Sequence, residues 1–193
     1  MSAEPSAEPA LTRSAPWAFA APWGARGYVS DLDGPVHWIE FGEEGGPGRD
    51  GTPIVCVHGL GGSHLNWCLI GPELAAGRRA VALDLHGFGL TPGTRATSTV
   101  QHNTRLLDRF VREVTGTPVI LAGNSMGGLI SILQASAAPD TVRGLVPSAS
   151  MRQAAARNPG WEAVILPGVG HTPQLEVPDT VAGTLDDWLK RHF

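Results

Sequence analysis

The sequence predicts an α/β protein built on a doubly wound, mostly parallel sheet. Three observations carry this expectation. Residues 54–57, 80–85 and 119–122 are continuous apolar runs of strand length, suited to strands buried on both faces. Helix-length stretches separate them, at 65–76 and at 99–114, where Leu106, Leu107, Phe110, Val111 and Val114 share one stripe. Glycine-rich turns follow the first and third runs, and in such sheets the working site lies beyond the carboxyl ends of the strands.

In chain order, residues 1–26 are rich in Ala, Pro and Ser, with Ser2-Ala3-Glu4-Pro5 repeated as Ser6-Ala7-Glu8-Pro9. They read as a flexible N-terminal segment, with Trp17 and Trp23 able to pack onto the domain, and residues 27–193 read as one domain. A β-hairpin is expected from 27–30 and 36–41, turning at Asp33-Gly34, a pair that tolerates positive φ. Residues 42–52 read as a surface loop. A third helix is expected over 126–137 and a strand over 163–166, and residues 151–157 are helix-like.

Composition narrows the function. The chain has 193 residues, 42% hydrophobic and 17% charged, with a formal net charge of -4. Neither the charge nor the scatter of the basic residues favours nucleic acid or an anionic membrane surface. No apolar stretch reaches membrane-spanning length, and the N-terminus has neither the basic nor the apolar region of a secretory signal. Cys56, inside an apolar run, reads as a buried strand residue, and two isolated cysteines do not form a disulfide framework. A cytoplasmic protein is the expectation.

The chemistry is concentrated in a few residues. Gly123-Asn124-Ser125-Met126-Gly127 follows an apolar strand and opens a helix, the context in which a G-x-S-x-G pattern presents a nucleophile. The turn is sharp, the glycines remove colliding side chains, and the helix N-terminus favours developing negative charge. The plainer reading is a glycine-rich turn with Ser125 as helix N-cap. His58-Gly59-Leu60-Gly61-Gly62 leaves backbone N–H groups free, so Leu60 and Met126 are the candidate oxyanion donors. A phosphate loop lacks support, because no Lys-Ser/Thr ending and no G-x-G-x-x-G occur. His58 reads as a loop brace. A serine needs a base, and His171, on a loop after the 163–166 strand and late in the chain, is the candidate. His37, His64, His86, His102 and His192 carry no motif and read as surface or capping residues. No metal-ligand spacing is present, so no metal and no cofactor are expected.

Together these segments resemble the α/β-hydrolase superfamily. The resemblance rests on the 53–60 strand and loop, Asp84-Leu85-His86-Gly87-Phe88-Gly89, the serine turn, and Gly168-Val169-Gly170-His171-Thr172-Pro173 with Glu176 and Pro178. It implies an α/β-hydrolase-like sheet with an N-terminal hairpin, and a serine hydrolase acting on a small acyl substrate through Ser125 and His171. Gly59, Gly123, Asn124 and Gly127 would support the site. The family also supplies an Asp or Glu to the histidine, yet residues 141–161 contain neither. The helical lid and one strand-helix unit are absent too, as though the chain were shortened between the serine turn and the histidine strand. Residues 143–146 resemble the family's strand after the serine-turn helix. Asp140 and Glu162 precede their strands, Asp84 is at the correct end of the sheet but several strands away, and Glu176 resembles a structural partner. The expectation is therefore a small esterase-like enzyme, and the alternative is a truncated or degenerate homologue acting in binding or regulation.

Overall fold

The computed structural model describes residues 24–42, 51–148 and 162–193. Residues 1–23 of the expected 1–26 segment, residues 43–50 of the expected 42–52 loop and the helix-like stretch at 151–157 therefore lie outside the described residues. Among the described residues, six strands form one sheet: β1 (Arg26–Asp31), β2 (Pro35–Phe41), β3 (Gly51–Val57), β4 (Arg78–Leu83), β5 (Val119–Asn124) and β6 (Val142–Ser148). Their order is β1-β2-β4-β3-β5-β6. β1 and β2 form the expected hairpin, with Asp33 and Gly34 at φ of 64° and 127°, and β2 runs antiparallel to β4. From β4 onward the pairs are parallel. The parallel part of the sheet starts at β3, moves out to β4, then returns to the other side of β3 for β5. That reversal opens a crevice at the carboxyl ends of β3 and β5.

The alternation along the central strands explains why their sequences are apolar throughout. Ile54 and Cys56 of β3, with Ile120 and Ala122 of β5, face one layer; Val55, Val57, Val119 and Leu121 face the other. Helix α2 (Val100–Arg109), extended by a wider turn over Phe110–Thr115, buries Leu106, Leu107, Phe110 and Val111 on the second face. Thr99 caps it, its side chain accepting from the His102 N–H. α3 (Met126–Ala137) sends Ile130 to the same face. The first face is covered by Trp67, Cys68, Ile70 and Leu74, and by Ala182, Leu185 and Leu189 of α5 (Pro178–His192). Cys56 is buried as expected, and desolvation pushes its thiol pKa up; Cys68 is buried too, its thiol pushed up to about 11.

Two expectations fail. The helix expected at 65–76 is instead a short turn at His64–Trp67 and a single helical turn, α1 (Gly71–Leu74). A side chain at residue 71 would collide with the Phe41 ring, so the backbone passes close to β2 there, and Pro72 in the next position disfavours a helix running into it from 65–70. The run at 163–166 is not a strand. Val164 and Ile165 are 63% and 56% exposed, and Glu162 is held instead by Arg191 and His192 at the end of α5. Strand propensity is realised only against a partner, and among the described residues this run pairs with none. Leu166 and Val169 are joined by a turn hydrogen bond of 3.4 Å, and α4 (Pro173–Glu176) then leads directly into α5. β3 begins at Gly51, slightly earlier than expected.

Candidate active site

The serine turn sits at the mouth of the crevice. β5 ends at Asn124, and Ser125 takes φ 52° and ψ -114°, a conformation that costs a non-glycine residue about 1–3 kcal/mol. Two close approaches fix it. A side chain at Gly127 would strike the carbonyl oxygens of Val57 and His58, and one at Gly123 would lie 2.5 Å from the Gly127 oxygen. The start of α3 is thereby pressed against the end of β3. Ser125 occupies the N-cap position, yet its side chain makes no capping hydrogen bond. The plain N-cap reading therefore does not describe it. The Ser125 N–H donates to the Ser148 carbonyl at 3.1 Å, tying the turn to the end of β6.

The glycine loop after β3 flanks this serine. A methyl group on Gly59 would lie 3.3 Å from Ser125 Cβ and 3.0 Å from Asn124 Oδ1. Gly61 adopts φ 73°, and the Gly62 N–H closes the turn on the Gly59 carbonyl at 3.0 Å. Leu60 turns its side chain outward, 76% exposed. Met126 is the first residue of α3 and has no intrahelical acceptor for its N–H. His58 is fully buried beneath the loop. Its Nε2 accepts from the Leu85 N–H at 3.1 Å, so Nδ1 carries the proton and donates to the Gly59 carbonyl at 2.8 Å. Burial lowers its pKa, which keeps it neutral.

His171 arrives from a loop without help from the sheet. The Asn124 side-chain amide donates to the His171 carbonyl at 2.9 Å and to Ser148 Oγ at 3.2 Å. On the other side, the Glu176 carboxylate accepts from the N–H groups of Gly170 (2.7 Å) and Thr172 (2.9 Å) and from the Thr172 hydroxyl. These bonds, led by the backbone N–H of Thr172, hold the Glu176 pKa below its ordinary value. Glu176 thus fastens the histidine loop through its backbone. His171 itself is exposed, and among the described residues no hydrogen bond reaches its ring. No described carboxylate orients it.

Sequence reasoning missed a buried cluster beside this crevice. His37, His64 and His86, expected as surface or capping residues, are only 6–8% exposed. Asp84, at the end of β4 and fully buried, accepts from His37 Nδ1 (2.9 Å), His64 Nδ1 (3.0 Å), the His64 N–H (2.7 Å) and the Leu90 N–H (2.9 Å). Burial pushes the Asp84 pKa up, but these bonds outweigh it and hold the carboxyl well below the usual range. His86 donates through Nδ1 to the Pro92 carbonyl at 3.2 Å. The ligating atoms of His37, His64 and Asp84 lie within 4.8 Å of one another, as a cation site would require. Both Asp84 oxygens are already saturated by N–H donors, however, so the cluster works as a hydrogen-bonded hub. The Asp84–Gly89 motif was its one signal. A side chain at Gly89, which sits at φ 57°, would strike the Asp84 carboxylate.

A family model for the alpha/beta hydrolase fold matches residues 52–192. The chain belongs to the α/β-hydrolase family. Over 149 residues it is 34% identical to the dihydrolipoyllysine-residue acetyltransferase component of an acetoin cleaving system from Pseudomonas putida, covering 70% of this chain and 39% of that protein. It is 38% identical over 104 residues to a 2-hydroxy-6-oxo-2,4-heptadienoate hydrolase of Pseudomonas putida, covering 50% of this chain and 36% of the relative. The chain thus spans well under half the length of these relatives. A crystal structure from Thermoplasma acidophilum, described as a predicted CIB-like hydrolase, shares the fold with a TM-score of 0.74 at 17% identity. That match covers 86% of this chain and 98% of the other. No helix among the described residues is long and apolar enough to cross a membrane.

Proposed function

We propose that this protein is a serine hydrolase that cleaves small carboxylic esters through an acyl-enzyme on Ser125. The observation that carries the reading is Ser125 itself. It is held at φ 52° between β5 and α3, its hydroxyl is not spent on capping, and a side-chain-free loop lies beside it. In this mechanism Ser125 Oγ attacks the ester carbonyl carbon while His171 takes its proton. The carbonyl oxygen becomes an oxyanion facing the N–H groups of Leu60 and Met126, at the positive end of the α3 dipole. Collapse breaks the carbon–oxygen bond, and His171 protonates the departing alkoxide. Water, deprotonated by His171, then attacks the acyl group and releases the carboxylic acid and Ser125. No cofactor enters these steps. The lid described for the wider family has no counterpart in the sequence, so weak discrimination of acyl chain length is expected.

A second reading is favoured by one observation: the His171 ring has no acidic partner among the described residues, and the run that precedes it stands outside the sheet. In a serine triad, loss of the acid lowers turnover about 10⁴-fold, with some rate left by the oxyanion hole and binding alone. A homologue that has kept the architecture for binding rather than turnover would look like this. Hydrolysis of p-nitrophenyl butyrate by the protein beside Ser125→Ala separates the two. Turnover that disappears in the variant supports the hydrolase. Equal rates near background would overturn it.

A further inference from the structure

We infer that Asn124 is a positioning residue that sets the place of His171 relative to Ser125, a task that a sheet strand does not perform here. The inference rests on the serine-hydrolase reading for its catalytic meaning and on geometry alone for its structural part. Residues 162–166 run outside the sheet, so no ladder of backbone hydrogen bonds leads into His171. Glu176 fastens Gly170 and Thr172, but it belongs to the same segment and cannot fix that segment against β5. Among the described residues, the hydrogen bond from Asn124 Nδ2 to the His171 carbonyl, at 2.9 Å, is the one that crosses from the serine turn to the histidine loop.

The side chain is suited to the task. Asn124 is 3% exposed, and its Nδ2 spends one hydrogen on His171 and the other on Ser148 Oγ. Rotating the amide would bring Oδ1 against the His171 carbonyl, two acceptors face to face, so the network itself assigns the orientation. Oδ1 sits over Gly59, where even a methyl group would come within 3.0 Å. One buried amide therefore meets the histidine loop, the end of β6 and the candidate oxyanion loop, and it lies next in sequence to the nucleophile. It holds the His171 backbone and leaves the imidazole free to accept and return a proton.

The test uses two variants and one measurement on the unaltered protein. Asn124→Asp keeps the shape and removes the donor; Asn124→Ala removes the group. Displacing a reacting group by about 1 Å can cost about 10²-fold in rate. Both variants should therefore lose about that much kcat on p-nitrophenyl butyrate while KM stays within about threefold. Their NMR spectra should show a shifted or broadened His171 ring resonance and an unmoved His58 resonance. In the unaltered protein, Asn124 side-chain amide protons protected from exchange, with nuclear Overhauser contacts to His171, support the clamp even if both variants fail to fold. Retention of kcat within about threefold in either folded variant overturns the inference, as do absent contacts to His171. If the unaltered protein shows no Ser125-dependent turnover, the hydrolase reading fails, and the NMR contacts alone decide the clamp.

Discussion

Asp84→Asn should destabilise the protein by about 3 kcal/mol at neutral pH, because of how the donors around the carboxylate are placed. The carboxylate offers only acceptors, and four donors converge on it: two backbone N–H groups, from His64 and Leu90, and the Nδ1–H groups of His37 and His64. The His64 N–H meets Oδ1 and the Leu90 N–H meets Oδ2, so an asparagine NH₂ faces a backbone donor whichever way it turns. A histidine can exchange tautomers to accommodate it; a backbone N–H cannot. An orphaned buried donor costs about 1–3 kcal/mol, and the lost charge-assisted bonds contribute about 1.5–3 kcal/mol each. Relief of the burial cost of the carboxylate offsets part of this, leaving about 3 kcal/mol. Against a typical total of about 5–15 kcal/mol that is a large fraction. Urea denaturation at several pH values tests it. The folded-state pKa of Asp84 is held below its unfolded value, about 3.9. Its stabilisation is thus complete above that pH and is lost as pH falls through the folded pKa. The gap between wild type and variant should hold from neutral pH down to about 5 and narrow below about 4. Equal midpoints at neutral pH, or a gap that persists unchanged in acid, would refute the hub.

His58 should remain neutral as pH falls from about 7 to about 6, visible as a ring resonance that does not titrate, because burial lowers its pKa and Nε2 is committed to the Leu85 N–H. Its folded pKa lies below the unfolded value of about 6.5, so stability should decline as pH drops beneath that value, before Asp84 contributes. Gly127→Ala should cost more than about 3 kcal/mol and abolish labelling of Ser125 by a fluorophosphonate, since the new methyl strikes two carbonyl oxygens of the β3 end; a folded, labelled variant would show that the turn can relax. Gln174 is 1% exposed and, among the described residues, both ends of its amide lack a partner, so Gln174→Leu should raise the melting temperature by about 2–4 °C for each kcal/mol gained. A lower melting temperature would instead reveal a bridging water.

What the sequence made legible was local. The hairpin turn at Asp33-Gly34 and the buried strands announced themselves through turn chemistry and unbroken apolar runs, and the serine turn through its glycines. The run at 163–166 misled because its composition suits a strand, whereas its pairing depends on what stands beside it. α5 went unread although Pro178 opens it and Ala182, Leu185 and Leu189 recur at helical spacing. His37, His64 and Asp84 are 47 and 20 residues apart where they bond, and nothing local reports such a meeting. The Asn124–His171 bond also spans 47 residues, so the serine was visible in the sequence and the means of holding its histidine was not.

The unpaired run before His171 has a consequence for how the protein opens. Amide groups in a sheet exchange with solvent only when a cooperative unit comes apart, whereas loops fray at little cost. Ser125, between β5 and α3, shares the fate of the whole sheet. Among the described residues one side-chain amide ties His171 to the serine turn, and the Glu176 carboxylate only braces the loop from within, so the two residues belong to different opening units with different free energies. On warming, the histidine loop should detach while the sheet is still intact, and any turnover that depends on Ser125 and His171, as proposed above, should fade before the cooperative melt begins. Deuterium uptake across residues 162–172 should accordingly be fast and insensitive to mild urea, and that across residues 119–130 slow. The temperature range over which this protein could work would then be set by a loop, with the stability of its core left partly unused.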